Sequence, residues 1–397
     1  MSKVRNVPQD HFEEAYALAI YAFNVPDTTE RKANFRTVFN HSNTFGVYQQ
    51  NELKSQMLVL PLEVLFHGET MSMGGISYVS SYPETRGMGN IKKLFAASLD
   101  YMNREGMVLS YLDPFSYPFY RKFGYEVAFN TASYIIDTSY MPKTKNYPGQ
   151  VTRVKWEQEK ETITNIYLEK YHHSVGPLKR AEWMWQQKFS DPNKQKLAIY
   201  KDDNDEAKGY LSYHFGDKTS AEFIIDEMVY LTADAYTALW QFVASHQSTF
   251  KTVQYKTAEN EYIMELFPRQ TIKKEVDPFM MARIVNIESF LMRYPFKEKA
   301  QTTFYLQVKD RLADWNNGIW KVELRNTGRK VTKLAMETEI KEAAFLSASI
   351  QTWTQLFLGY RTIEELKFHE KLISSTACAA ELAERIPQGD PQLYDYF

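Results

Sequence analysis

One cysteine, Cys378, is present among 397 residues, and that scarcity excludes an intramolecular disulfide framework. It sits in the small-residue run Thr376-Ala377-Cys378-Ala379-Ala380, where a packed small hydrophobe is expected rather than a nucleophile. No run of about 18 apolar residues occurs, so nothing reads as a membrane-spanning helix. The start, Met1-Ser2-Lys3-Val4-Arg5, lacks the apolar stretch of a secretory signal, and a cytoplasmic location is expected. Neither sign of charge is in excess. Lys and Arg total 47 and Asp and Glu 49, for a net charge of −2, with no basic run to suggest a nucleic-acid surface. The only adjacent histidines are His172 and His173, and no ligand-type spacing such as His-Glu-x-x-His exists, so no metal is expected.

Aromatic residues are abundant, with 27 Tyr, 25 Phe and 7 Trp. They supply core, and an excess of Tyr and Trp also suits large interfaces. Apolar content of 44% and charged content of 24% describe a globular protein. Its length exceeds one ordinary core, so two or three domains are expected.

Chemistry is concentrated in residues 78–91, Tyr-Val-Ser-Ser-Tyr-Pro-Glu-Thr-Arg-Gly-Met-Gly-Asn-Ile. The segment reads as a strand, a glycine-bearing turn and a helix start. Ile91, Leu94, Phe95, Ser98, Leu99 and Met102 follow the spacing of one helix face. The first N–H groups of a helix have no partner within it, and the macrodipole adds partial positive charge there. Gly87 and Gly89 permit close backbone approach and Arg86 adds a fixed charge, a combination suited to a phosphate. An ordinary strand-to-helix turn is the plainer reading of this segment alone. About twenty residues on, 107–112 is a short buried strand ended by Asp113-Pro114. Phe119-Tyr120-Arg121-Lys122-Phe123-Gly124-Tyr125-Glu126 then reads as a short helix closed by glycine and followed by another strand. The ordered pair of segments resembles the acetyl-CoA site of the GNAT acyltransferases. The family pattern usually ends in Gly or Ala where Ile91 stands here.

The rest of the chain is organised around that site. Helical spacing of Phe12, Tyr16, Ile20 and Phe23 predicts a helix over 10–23, and 44–48, 52–60, 63–66 and 71–80 read as strands. The Pro- and Lys-bearing stretch 140–149 predicts a domain break. Beyond it, strands at 196–201, 207–215, 222–231 and 251–256 and a helix at 233–249 repeat the order of the first segment. The turn Tyr230-Leu231-Thr232-Ala233-Asp234 lacks glycine and arginine, so this half reads as a degenerate repeat without a CoA site. A third segment has strands at 303–309, 320–324 and 334–340 around Asp314-Trp315-Asn316-Asn317-Gly318, then a helix at 343–358 and two shorter helices. It resembles a sterol-carrier-protein-like domain.

The whole chain resembles the Eis family of N-acetyltransferases. The resemblance implies an α/β fold (α+β mixed sheets): a catalytic GNAT domain over 1–147, a degenerate GNAT-like domain over 148–288 and a sterol-carrier-protein-like domain over 289–397. It implies acetyl-CoA as cosubstrate, with Val79 and Ser81 offering backbone groups to the pantetheine arm and Arg86, Gly87, Gly89 and Asn90 around the pyrophosphate. Tyr120 takes the role of general acid toward the departing thiolate, a core tyrosine being the plainer alternative. The aromatic-rich end, Gly389 to Phe397, folds back in that family, so the terminal carboxylate of Phe397 is the expected base. A free α-carboxyl has a pKa of about 3.3–3.7 and is a weak base near neutrality. A tail that merely staples domains together is the competing reading. A primary amine of aminoglycoside, polyamine or lysine type is the implied substrate. Phe23 and Phe35 can wall its site and Asp27, Glu30 or Asp395 can attract its charge, although each acid also reads as an ordinary surface carboxylate. Tyr396 stands where the family can carry an acid, which counts against aminoglycosides. A trimer-based homo-oligomer such as a hexamer is implied. The rival functions are a transferase with a longer acyl or aminoacyl donor, and a lipid- or partner-binding protein acting through its third domain.

Overall fold

A stretch buried on both faces from Ser55 to Leu60 makes Glu52–Phe66 a single strand that continues through Pro61. It turns at His67-Gly68 and returns as Glu69–Ser81. A computed structural model describes residues 3–141, 147–189, 191, 195–217, 219–259, 261, 263, 267, 272–297, 299–325, 328–335 and 345–397. The chain divides into two units. One holds Met1–Phe129, Phe279–Pro391 and Asp395–Phe397; the other holds Asn130–Pro278 and Gln392–Tyr394. Both are mixed α/β, as the sequence predicts.

In the first unit, the main sheet runs in the order Val4–Asn6, Asn43–Gln49, Glu52–Phe66, Glu69–Ser81, Leu109–Leu112, Met281–Ile284, Glu126–Val127. Helix Asn90–Arg104 packs Leu94, Phe95, Leu99 and Met102 into the core beneath it, with Phe45, Met57 and Ile76. Helices Phe12–Phe23 and Thr29–Asn40 also belong here. The second of these is absent from the sequence reading because its first turns are mostly polar. A smaller sheet of the same unit runs Gly328–Lys333, Gly318–Arg325, Thr302–Lys309, Phe345–Ser349, Ile373–Ser374.

Two expectations change here. The predicted helix over 343–358 is a strand, Phe345–Ser349, parallel to Thr302–Lys309, followed by helix Ile350–Phe357; residues 343–344 lie outside the described residues. A short stretch of apolar and small residues without a turn signal fits a buried strand and a buried helix equally well. The predicted strand over 334–340 lies mostly outside the described residues, and the observed strand is Gly328–Lys333. The compact units part at Phe129/Asn130 and Pro278/Phe279. Asn130–Asp137 leaves the first unit because it pairs along its length with Thr252–Ala258 and Lys273–Pro278. Met281–Ile284 joins the first because it pairs with Leu109–Leu112 and touches Val127. Five residues of the expected break, 142–146, lie outside the described residues.

The second unit has one sheet, ordered Lys273–Pro278, Asn130–Asp137, Thr252–Ala258, Glu222–Tyr230, Ala207–Phe215, Lys196–Lys201, Gln150–Val154. Helix Ala233–Ala244 covers it with Leu239, Trp240 and Val243. The predicted hairpin and the helix following a long strand are both present. Cys378 is buried in helix Thr376–Arg385, and burial pushes its thiol up to about 11, as suits a packing residue.

Candidate active site

The turn at 86–90 is built by backbone conformation. Gly87 has φ +80° and Gly89 φ +75°, both in the left-handed region that glycine enters without strain. A Cβ at either would meet nothing within 4 Å, so conformation alone, and not crowding, calls for glycine. Gly89 is the N-cap of helix Asn90–Arg104 and offers no side chain to it, leaving the first-turn N–H groups uncapped. Asn90 turns its side chain inward, donating to Ser55 Oγ at 3.1 Å, while Ser81 Oγ donates to the same oxygen at 2.7 Å. Ser55, fully buried, thereby ties the strand end to the helix start.

Strand Glu69–Ser81 pairs in parallel with Leu109–Leu112 only from Met73 to Ile76. Beyond that the ladder stops, and Tyr78 adopts φ +47°, a left-handed value uncommon for a tyrosine, beside a register shift against Gln56–Leu58. The remaining stretch, 77–81, therefore has backbone groups available on the side where the parallel partner ends. A cleft of about 820 Å³ opens there. Val79, Ser81, Arg86, Gly87, Gly89 and Asn90 all line it, so the six residues expected around a cofactor meet at one place. Phe23, Phe115, Phe119 and Phe123 add apolar walls.

Tyr120 lies on helix Tyr117–Arg121 directly behind those walls. It is 3% exposed, edge-on to Phe95, Phe115 and Phe119. Burial, with a smaller contribution from Asp113, holds its phenol well above the usual tyrosine range, so it stays protonated.

Phe397 docks on the same strand. Ser77 Oγ donates to its oxygen at 3.0 Å, and its ring lies on Gly75, where an added Cβ would stand 2.7 Å from ring carbons. Tyr396 is 60% exposed and meets Phe279 edge-on at 4.7 Å. Of the substrate-side candidates only Phe23, half exposed, lines the cleft; it meets Tyr78 edge-on at 5.8 Å. Phe35 is buried and packs against Tyr78 at 4.7 Å. Asp27 accepts a hydrogen bond from Tyr16 at 2.6 Å; burial and that bond push the Tyr16 phenol up to about 12. Glu30 is exposed and Asp395 is buried. Ser55, Ser77 and Gly75 escaped the sequence reading, which took Tyr78 only as the start of the segment 78–91. The pair Gly74-Gly75 inside a strand was the available signal, since glycine there marks close approach.

The third-domain turn is welded into this unit. Arg283 and Asp310, both fully buried, form an ion pair, and Arg283 also donates to the carbonyl of Phe123, at the end of the Tyr120 helix. Asp310 accepts from the N–H groups of Leu312 and Ala313 and from Asn316 Nδ2. Trp315 Nε1 donates to Val285 O at 2.9 Å.

In the second unit, the corresponding helix start is closed. Thr232 Oγ1 accepts from Ala235 N at 3.1 Å, Asp234 occupies the first turn, and the adjoining cavity is about 260 Å³. Among the described residues no group of three or more His, Cys, Asp or Glu side chains is arranged to hold a metal, and no helix is long and apolar enough to cross a membrane.

Residues 3–128 match the model of an Acetyltransferase (GNAT) domain, 176–284 match a second Acetyltransferase (GNAT) domain model, and 287–394 match a Sterol carrier protein domain. The chain is similar to a conserved protein of unknown function from Enterococcus faecalis V583 described as a probable N-acyltransferase, with 37% identity, full coverage of both chains and a TM-score of 0.94. It shares its fold with Eis1 from Mycobacterium abscessus at 16% identity, again with full coverage of both chains and a TM-score of 0.82. An uncharacterized N-acetyltransferase from Streptomyces avermitilis is 22% identical over 246 residues, which span 55% of this chain and 57% of that one.

Proposed function

The chain belongs to the GNAT acetyltransferase family, and from that premise we propose that it moves an acetyl group from acetyl-CoA to a primary amine at the cleft of the first unit. The observation that carries this reading is a single strand, Glu69–Ser81, which ends in the uncapped helix start and also holds Phe397 through Ser77. Three features fit acetyl-CoA: the open amides after Gly89, Arg86 beside them, and a strand released from its parallel partner beyond Ile76. Arg86, Gly87, Gly89 and the Asn90 backbone would hold the pyrophosphate, and Val79 and Ser81 the pantetheine arm. Bound there, acetyl-CoA supplies an activated acyl group whose C–S bond breaks as the amine's C–N bond forms. The second unit, with its helix start already capped, takes no CoA.

A carboxylate on Phe397 accepts the proton that the ammonium substrate must lose, directly or through a water. The lone pair so released attacks the thioester carbonyl. Tyr120 donates a hydrogen bond to the departing thiolate. Its raised pKa makes full proton transfer uphill, so it stabilises the thiolate without becoming a tyrosinate. Tyr120→Phe is expected to lower kcat by about 10²-fold with KM for acetyl-CoA little changed. Because burial holds the phenol above its ordinary value, its ionisation removes no activity between about pH 7 and 10. Release of CoA, followed with a thiol reagent across a panel of amines, tests the activity. A variant with full turnover at saturating substrate would remove Tyr120 from the mechanism.

Gly89→Ala tests the turn. A side chain held at left-handed φ costs about 1–2 kcal/mol. Relief of that strain swings the first-turn amides away, and KM for acetyl-CoA is expected to rise about 5–30-fold. Gly89→Asn, which tolerates this conformation better, should fall between the two. Equal KM values for all three forms would show that the turn does not bind the cosubstrate.

A further inference from the structure

Within the first unit, the small sheet and helix Thr376–Arg385 border a pocket of about 350 Å³. Lys297, Lys299, Arg325, Arg329 and Arg385 line it, and among the described residues no acidic one does. These cations are spread over nearly ninety positions, so no basic run marks them in the sequence. Three have a carboxylate nearby: Lys299 with Glu384 at 2.7 Å, Arg325 with Glu323 at 3.1 Å and Arg385 with Glu381 at 2.9 Å. Lys297 and Arg329 have none within ion-pair distance among the described residues; Glu69 acts on Arg329 only from further away. Arg329 Nη1 is buried and has no hydrogen-bond partner among the described residues. Its guanidinium lies 5.9 Å from the centre of the Phe296 ring, which walls the pocket on an apolar side.

A buried guanidinium nitrogen without an acceptor costs free energy that a bound anion would recover. The planar fork of arginine matches two phosphate oxygens, and a lysine beside it adds a point charge. The volume falls at the lower end of small-molecule sites, about 300–1,000 Å³. We propose that this pocket binds a small soluble phosphate-bearing anion, with Arg329 as the bidentate donor and Lys297 as the second charge. None of its residues lines the cleft at 86–90, so the site is independent of the acetyl-transfer reading.

Titration calorimetry on the full chain tests it, with inorganic pyrophosphate as the probe. The measurement is made in an Arg86→Ala background so that the cleft does not report, and without CoA, which carries phosphates of its own. One saturable site per chain is expected, weakening with added salt. Arg329→Gln should weaken it about tenfold and Lys297→Gln further, with melting temperature and acetyl transfer unchanged. Absence of saturable binding to the unmodified chain overturns the proposal whatever the variants do. So does equal affinity in Arg329→Gln. Capture on phosphatidic-acid vesicles without binding of soluble pyrophosphate overturns it in favour of a lipid headgroup.

Discussion

Deletion of Phe397 is expected to lower kcat by about 10²–10⁴-fold, the range that a positioned general base contributes. KM for acetyl-CoA should change little, because Phe397 is not among the residues lining the cleft. Two separable things are lost in the deletion: the oxygen that accepts from Ser77 and the ring that packs on Gly75. Adding one glycine after Phe397 separates them, since it keeps the ring and turns the carboxylate into an amide. If the carboxylate is the base, the extended chain loses as much activity as the deleted one. If the ring only staples the tail, the extended chain keeps its rate. Gly75→Ala attacks the same contact from below, because the new methyl would meet the ring of Phe397 and, at 3.0 Å, Leu62 Cδ1. Stopped-flow measurement of the first turnover with one amine held constant discriminates among these forms. Full turnover by the extended chain would end the carboxylate's role.

Asp310→Asn should have the largest effect on stability. The substitution leaves Arg283 charged, buried and unpaired in the centre of the first unit. Removing one partner of such a pair costs about 3–5 kcal/mol. For a unit of this size that lowers Tm by roughly 6–20 °C. The effect should also reach the chemistry, because Arg283 fixes the Phe123 carbonyl and with it the end of the Tyr120 helix. Circular dichroism melting gives the first quantity. The second appears as a drop in kcat at temperatures where the variant is fully folded. A Tm within about 2 °C of the parent would mean that water or a rearranged neighbour satisfies Arg283.

What could be read from the sequence was local. The turn at 86–90, the helix after it and the strand at 109–112 announce themselves through glycine placement and apolar spacing over about thirty residues. The short helix that carries Tyr120 is marked in the same way by Gly124 and its aromatic repeat. What escaped was contact between distant positions. Ser77 and Phe397 are 320 residues apart, and no periodicity in either segment points to the other. Met281–Ile284 is four apolar-rich residues that become a strand only because Leu109–Leu112 leaves an edge to pair with. Residues 345–349 read as helix because no glycine or proline separates them from helix Ile350–Phe357; strand Thr302–Lys309 decides the matter. The acids proposed for the substrate were chosen by type alone. One is engaged by Tyr16 and another is buried, environments that side-chain chemistry does not encode.

The strand Met281–Ile284 has a consequence for synthesis. The nascent chain cannot complete the central sheet of its first unit when residue 129 leaves the ribosome, because two strands of that sheet, Leu109–Leu112 and Glu126–Val127, still lack the neighbour they share. That neighbour arrives roughly ten to thirty seconds later at ordinary elongation rates, after the whole of Asn130–Pro278 has emerged. The inserted unit, whose strands are contiguous in the chain apart from the residues at 392–394, therefore has the opportunity to fold first. Truncation after residue 129 should yield a fragment with an open sheet edge that aggregates in place of an active half-enzyme.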